Sequence, residues 1–450
     1  MNPPEDAVFH RQGGSLRIEG VRVADLLARG LPTPFFVYSQ RQLEQDFSRY
    51  TRAAASLTQA GLPSPVIAYA VKANPSRELL SILAGLGAGA AVVSHGELEH
   101  VRRVGFPASQ ILLHGNGKRT ADIDAAIAAG ALLSIDSEFD LAHVQARAVA
   151  LSARANVLLR VNPDIDPQVH PYISTGLLES KFGMAEATIE RLLPTLSALL
   201  GQPHGVVVRG LHCHLGSTLK SVQPVLDAAR QILPLALRLR ALGHPVDTLD
   251  MGGGLGIDYS HRSTAPAPPS PQDLIDGLRP LLEGQGLRLW LEPGRSIVGR
   301  CGALIGRVLG IKRHGQGSDG GARGSDRSFL CTDASMAQLI RPCLYGAYHH
   351  IELLQEPDPS ADAQLRLYDV VGPICESGDF IGQGRLLPTP REGDGLIIYE
   401  AGAYGAAMSS RYNLNFLPAE YLISGQSVTR IRRAETYDDF ARTFVREPLP

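Results

Sequence analysis

Between residues 64 and 295 one pattern recurs eight times: a short apolar, β-branched run, a turn, then an amphipathic stretch rich in Ala, Leu and Arg. The candidate strands are PVIAYAV, AAVVS, ILLHG, LLSID, VLLRV, VVVRGLHCHLG, TLDMGG and LRLWLEP. Helical periodicity marks the segments between them, among them SRELLSILAGLGA, HGELEHVRRVG, TADIDAAIAAG and VQPVLDAARQILPLALRLRALG. Strands this uniformly apolar must be covered on both faces, which is the condition of a parallel sheet crossed by helices. Eight such repeats predict a closed (β/α)8 barrel over residues 36–300, with an open doubly wound sheet as the alternative. Beyond residue 300 the runs shorten (FLCTD, LRLYDVVGP, DGLIIYEAGAY) and predict a mostly β C-terminal domain over 301–450, joined by N-terminal strands from residues 1–35. The stretch 313–328, RHGQGSDGGARGSDRS, reads as a flexible surface loop, and STAPAPPSP at 263–271 as a second one.

Composition removes several classes of function. At 450 residues there is room for two or three domains. A formal net charge of -2 gives no electrostatic case for nucleic acid or an anionic membrane. No apolar run is long enough to cross a bilayer, and the first residues lack the basic and apolar regions of a secretory signal. The five cysteines are scattered, with no C-x-x-C pair, which favours reduced thiols in a cytosolic protein over a disulfide framework or a zinc site.

A barrel gathers its chemistry at the C-terminal ends of its strands. Those positions hold Lys72, Ser94, His114, Asp136, Arg160, His214, Gly252 to Gly254 and Glu292. Lys72 stands out because the chain has only five lysines among its 43 basic residues. A guanidinium stays protonated, whereas a lysine amine can lose its proton and form a Schiff base. The alternative is a lysine that ends a strand and points to solvent. The glycines of MGGGLGIDY would let backbone N–H groups approach a phosphate. This stretch matches neither the P-loop nor G-x-G-x-x-G, since Tyr259 stands three residues after Gly256. A tight structural turn is the competing reading. In LHCHLGS, His212 and His214 share one face of a strand. Metal ligation, stacking of an imidazole on a planar ring, and a pair of satisfied interior histidines all remain open there, with Ser217 a possible phosphate donor. In LEPGRSIV, Glu292 could hold a ring nitrogen protonated, or simply pair with Arg295.

Taken in order, YAVKANP, HGNGKR, RVNPDIDP, YISTGLLESKFGM, GLHCHLGS, GGGLGIDY, EPGRSIV, RPCLYGAYH, GPICESGDF, GAYGAAMSSRYN and RRAETYDDF resemble the diaminopimelate decarboxylases. These are pyridoxal-phosphate decarboxylases of the alanine racemase-like fold (fold type III), a barrel followed by a β domain. The resemblance runs from about residue 33 to about residue 440. It implies that Lys72 binds pyridoxal 5'-phosphate covalently, that His214 stacks on the ring, and that Glu292 holds the ring proton. It places Ser217, Gly253, Gly254, Gly294 and Arg295 around the phosphate, with Tyr404 nearby. Arg295, Arg341, Tyr345, Glu376 and Tyr404 match substrate-contacting positions, and Cys375 matches the proton donor. The family further implies a homodimer in which Cys375 and Glu376 serve the other subunit's site; no metal is expected, and the cysteine usage points to the cytoplasm. The implied reaction is conversion of meso-2,6-diaminopimelate to L-lysine and CO2. The alternative is the same chemistry on ornithine, lysine, a carrier-bound amino acid or a siderophore intermediate. A racemase on this fold would not need CESGD and GAYGAAMSS together, and a non-catalytic phosphate-binding barrel explains the retention of Lys72, Glu292 and Cys375 less well. Three residues depart from the family pattern: Ala91 for Asp, Thr218 for Gln, and Arg411 for Asn.

Overall fold

The computed structural model describes residues 8–167, 175–177, 179–260, 267–313, 328–354 and 365–446. The interior of the Gly-rich stretch, the Ser-Thr-Ala-Pro loop up to residue 266, and part of YISTGLLESKFGM lie outside the described residues. The chain divides into two compact units, one of residues 44–257 and 266–297, the other of 1–43, 258–265 and 298–450.

The first unit is the expected barrel. Its strands are β1 (Val66–Ala70), β2 (Gly89–Val92), β3 (Ile111–Leu113), β4 (Leu132–Ile135), β5 (Arg154–Asn162), β6 (Gly205–His212), β7 (Thr248–Asp250) and β8 (Arg288–Leu291). Each pairs in parallel with the next, and β8 pairs with β1, which closes the ring. The strands read as apolar runs because both faces are covered. Inside, Val66, Ala68, Ala91, Leu112, Leu158 and Trp290 fill the barrel, and none is more than 6% exposed.

Local chemistry sets where the strands hand over to helices. Ser94 accepts the Glu97 N–H and starts the helix His95–Val104, while Gly105 ends it in the left-handed conformation. Ser137 caps Glu138–Ala150 in the same way. Ser94, a strand-end candidate in the sequence, is therefore a helix cap. Lys118 is a buried strut. Its Nζ donates to the carbonyls of Gly115 and Ser134 at 2.7 and 2.5 Å and to Asp140 Oδ2 at 2.6 Å. Both side chains of that ion pair are 1% exposed. Removing one partner strands the other charge in the interior. Lys118→Met is therefore expected to lower stability by about 3–5 kcal/mol, with Lys118→Met/Asp140→Leu recovering part of the loss. Denaturant unfolding checks this; a midpoint unmoved by Lys118→Met contradicts it.

The second unit is mostly β, as its short runs imply. Its main sheet follows the path Phe380–Leu387, Arg366–Val371, Ser328–Thr332, Gly302–Arg313, Phe35–Ser39, Ala419–Ser424, Ser427–Arg432. Strand Phe35–Ser39 is fully buried and lies between two strands from the far end of the sequence, antiparallel to Gly302–Arg313 and parallel to Ala419–Ser424. A three-stranded sheet of Phe9–Gln12, Ser15–Ile18 and Val21–Arg22 packs into the same core through Leu16, Ile18 and Val21.

Candidate active site

Strand register decides which side chains share the barrel mouth. Arg160 on β5 stands opposite His212 on β6, and His212 opposite Asp250 on β7. These three occupy one level, and Glu292 follows directly after β8, its N–H bound to the Gly252 carbonyl at 2.7 Å. His114 Nε2 comes within 2.7 Å of Glu292 Oε1, and His212 Nε2 within 3.7 Å. The two imidazoles are 4.7 Å apart and tilted by 57°. None of these contacts is aligned as a hydrogen bond, so His114 Nε2, His212 Nε2 and Glu292 Oε1 converge as buried polar atoms without an aligned partner.

Protonation follows from burial. Desolvation pushes His114 down to about 3 against the pull of Asp250. His212 and His214 sit well below the ordinary imidazole range, again chiefly through burial. All three rings are neutral. The Asp250 carboxyl is driven well above the ordinary range by burial and then by the adjacent Glu292. Burial leaves Glu292 above the ordinary carboxyl range as well, with the neighbouring Asp250 and the charges of Lys72 and Arg160 pulling against it. Asp250, raised further than Glu292 and in part by it, is therefore the acid of the pair that holds a proton more tightly. Arg160 is tied at 3.3 Å to Asp136, which also accepts the Gly183 N–H.

Lys72 sits in the turn Val71–Ala73 that follows β1, exposed while its neighbours Val71 and Ala73 are buried. Following directly on β1, it stands at the same strand end as Glu292 does after β8, and its charge is felt by Glu292, His114, His212, His214 and Glu97. Across the mouth, the glycine turn packs as closely as backbone allows. A Cβ on Gly253 would run into the Glu292 carbonyl oxygen, and one on Gly254, at φ +109°, into that of Gly216. The Gly253 N–H donates to His214 Nδ1 at 3.3 Å. Arg295 does not pair with Glu292; its Nε and Nη2 donate to Ser217 Oγ at 3.1 and 3.0 Å. Ser217, Gly253, Gly254 and Arg295 thus form a cradle suited to a phosphate, and Gly294 packs on Ala70 and Ala73 beside it. Glu292 Oε1, lacking an aligned donor, suits the N–H of a pyridinium ring. His114, His212 and Glu292 also have the spacing of a metal-ligand set, with ligand atoms within 4.8 Å of one another.

The remaining candidates lie in the β unit. Arg341 is 4% exposed and opens the short helix Arg341–Tyr345. Cys375 and Glu376 are both exposed; the Cys375 N–H donates to Asn413 Oδ1 at 2.9 Å, and Tyr412 donates to Glu376 Oε2 at 3.4 Å. Tyr404 holds φ +59°. Asp250 and the pairing of His114 with Glu292 were not assigned from sequence. The signal was an acid one residue before Met251 and the glycine turn, and a histidine at a strand end, but only register brings them together.

Two comparisons give this geometry a family. The pyridoxal-dependent decarboxylase pyridoxal-binding domain matches residues 47–299. The "Probable diaminopimelate decarboxylase, chloroplastic" of Oryza sativa subsp. japonica is 42% identical over 96% of this chain and 83% of its own length. The chain belongs to the diaminopimelate decarboxylase family. The Pseudomonas aeruginosa diaminopimelate decarboxylase is 39% identical over 96% of this chain and 97% of its own. The M. jannaschii diaminopimelate decarboxylase, solved in complex with L-lysine, superimposes with a TM-score of 0.87 at 32% identity, covering 98% of both chains. As a diaminopimelate decarboxylase family member, this chain is a pyridoxal-phosphate-dependent carboxy-lyase with the barrel-plus-β-domain fold. Its three departures have local reasons. Ala91 joins the apolar filling of the barrel. Thr218 takes φ +66° and donates to the Ser217 carbonyl at 2.6 Å. Arg411 is held by Glu435 through bonds of 2.5 to 2.9 Å.

Proposed function

We propose that this chain decarboxylates meso-2,6-diaminopimelate to L-lysine and CO2, and that the site residues take the following roles. Lys72 holds the cofactor through its amine. Glu292 keeps the ring nitrogen protonated, with Asp250 the acid of the pair that holds its own proton more tightly. His214 offers its flat face to the ring. Ser217, Gly253, Gly254, Gly294 and Arg295 hold the phosphate, with Tyr404 nearby. The cofactor supplies an electron sink for the pair left on the carbon when CO2 departs. Arg341 and Arg295 grip carboxylate, a task that rewards the bidentate guanidinium. Tyr345, Glu376 and Tyr404 complete the substrate contacts, and Cys375 returns one proton to the carbon that lost CO2. Exposure of Cys375 and Glu376 on the single chain supports a homodimer in which each chain lends these residues to the other. Among the described residues no helix is long and apolar enough to cross a membrane. We place the enzyme in the cytoplasm, with small amino acids and a second copy of itself as its partners, and neither nucleic acid nor membrane among them.

The observation that carries this reading is the Glu292 carboxyl beside His114 and His212 at the mouth of a barrel that matches diaminopimelate decarboxylases along its length. CO2 release should be measured for the holo-enzyme given meso-diaminopimelate, ornithine, lysine or arginine separately. Turnover of diaminopimelate and none of the others is expected. Inactivity on diaminopimelate while another amino acid reacts assigns the same chemistry to that substrate.

A further inference from the structure

Two of the groups that hold the buried Arg341 are a histidine and a tyrosine ring. Arg341 Nη1 lies 2.7 Å from His349 Nε2. A guanidinium only donates, so His349 Nε2 accepts and the ring proton must sit on Nδ1. Nδ1 in turn lies 2.9 Å from the Tyr399 carbonyl, which accepts that proton. His349 is 0% exposed, so its tautomer is fixed from both sides without help from water. The guanidinium carbon lies 4.7 Å from the centre of the Tyr259 ring, over its face. Tyr259 and His349 meet edge to face at 5.1 Å and 76°. Three side chains thus close a triangle in which every pair touches.

Neither of these two partners cancels the charge. A neutral imidazole takes one N–H, and an aromatic face takes the flat side of the fork; a carboxylate in either place would neutralise it. Tyr259 arrives by a separate route. It lies six residues after Gly253, in a segment, 258–265, that belongs to the β unit although the chain on both sides of it belongs to the barrel. The sequence therefore carries a phosphate-cradle glycine and the platform for Arg341 on one short stretch.

We infer that His349 and Tyr259 are positioning residues: they aim the Arg341 guanidinium before substrate arrives and so set affinity for a substrate carboxylate. This rests on the reading that Arg341 grips that carboxylate. Preorganisation of this kind lowers the cost of ordering a long side chain at the moment of binding.

The test uses the holo-enzyme, with KM and kcat for CO2 release from meso-diaminopimelate and a thermal unfolding midpoint for each variant. His349→Asn keeps an N–H for the Tyr399 carbonyl and removes the acceptor aimed at Arg341. It is expected to raise KM about tenfold with kcat within about twofold. His349→Gln, which reaches further, recovers part of that loss. Tyr259→Leu is expected to raise KM by a similar factor, and Tyr259→Phe, which keeps the ring, restores it. Combined with Arg341→Ala, His349→Asn adds nothing further, because its effect passes through the arginine. The proposal is overturned if Arg341→Ala raises KM while His349→Asn and Tyr259→Leu leave it alone, or if the losses add. Should His349→Asn fail to fold, the Tyr259 pair decides the matter unaided. If Arg341→Ala itself leaves KM unchanged, the carboxylate role of Arg341 is wrong and the positioning role falls with it.

Discussion

Lys72→Ala is expected to abolish CO2 release, by at least roughly a thousandfold, together with the visible absorbance of the lysine-bound cofactor. The loss comes from chemistry alone. Lys72 is exposed on its turn and fills no core, so its removal leaves the fold and the unfolding midpoint in place. Lys72→Arg sharpens the result. It restores the positive charge near Glu292 and the histidines, yet a guanidinium cannot make the covalent link, so the same loss is expected. Substantial turnover by the arginine variant would show that charge, and not the amine, is what the barrel mouth needs.

Glu292→Gln separates the sink from the link. The amide matches the carboxylate in shape and cannot carry its charge, so the ring nitrogen loses its anionic partner in a buried site. Turnover is expected to fall on the order of a hundred- to a thousandfold. Lys72 is untouched, so the visible absorbance of bound cofactor should persist, unlike that of the Lys72 variants. Asp250 should respond as well. Glu292 is the second largest cause of its elevation after burial, so its carboxyl should titrate lower in the variant while staying above the ordinary range. If the glutamine variant works at the native rate, the charge of Glu292 is irrelevant and the assignment of the ring-nitrogen partner fails.

Much of this arrangement was legible in the chain itself. Eight apolar, β-branched runs bounded by Gly, Pro and Ser announce buried parallel strands, because only covered strands can afford no polar face. Lys72, Glu292 and the glycine turn are visible for a related reason: an amine, an acid and bare backbone at strand ends are costly choices without a ligand. Register was not legible. That Arg160, His212 and Asp250 share one level depends on pairings between strands roughly fifty and forty residues apart, and no local pattern encodes it. The role of Asp250 as proton holder was hidden for that reason. Lys118 reads in sequence as one more basic residue in HGNGKR; only the closeness of Asp140 makes it a strut. Arg295 likewise stands three residues after Glu292, a helical ion-pair spacing, yet its guanidinium turns to Ser217.

The placement of strand Phe35–Ser39 has a consequence for how the molecule is made. It is flanked on both edges by strands that begin more than 260 residues later, at Gly302 and Ala419. On the ribosome this all-buried segment must wait for one edge partner until Gly302–Arg313 is made and for the other until Ala419–Ser424 follows. The β unit is therefore not autonomous from Gly302 onward. Severed before Gly302, the downstream piece would lack an interior strand of its own main sheet, so Phe35–Ser39 and the stretch beyond Gly302 are committed to assembling together.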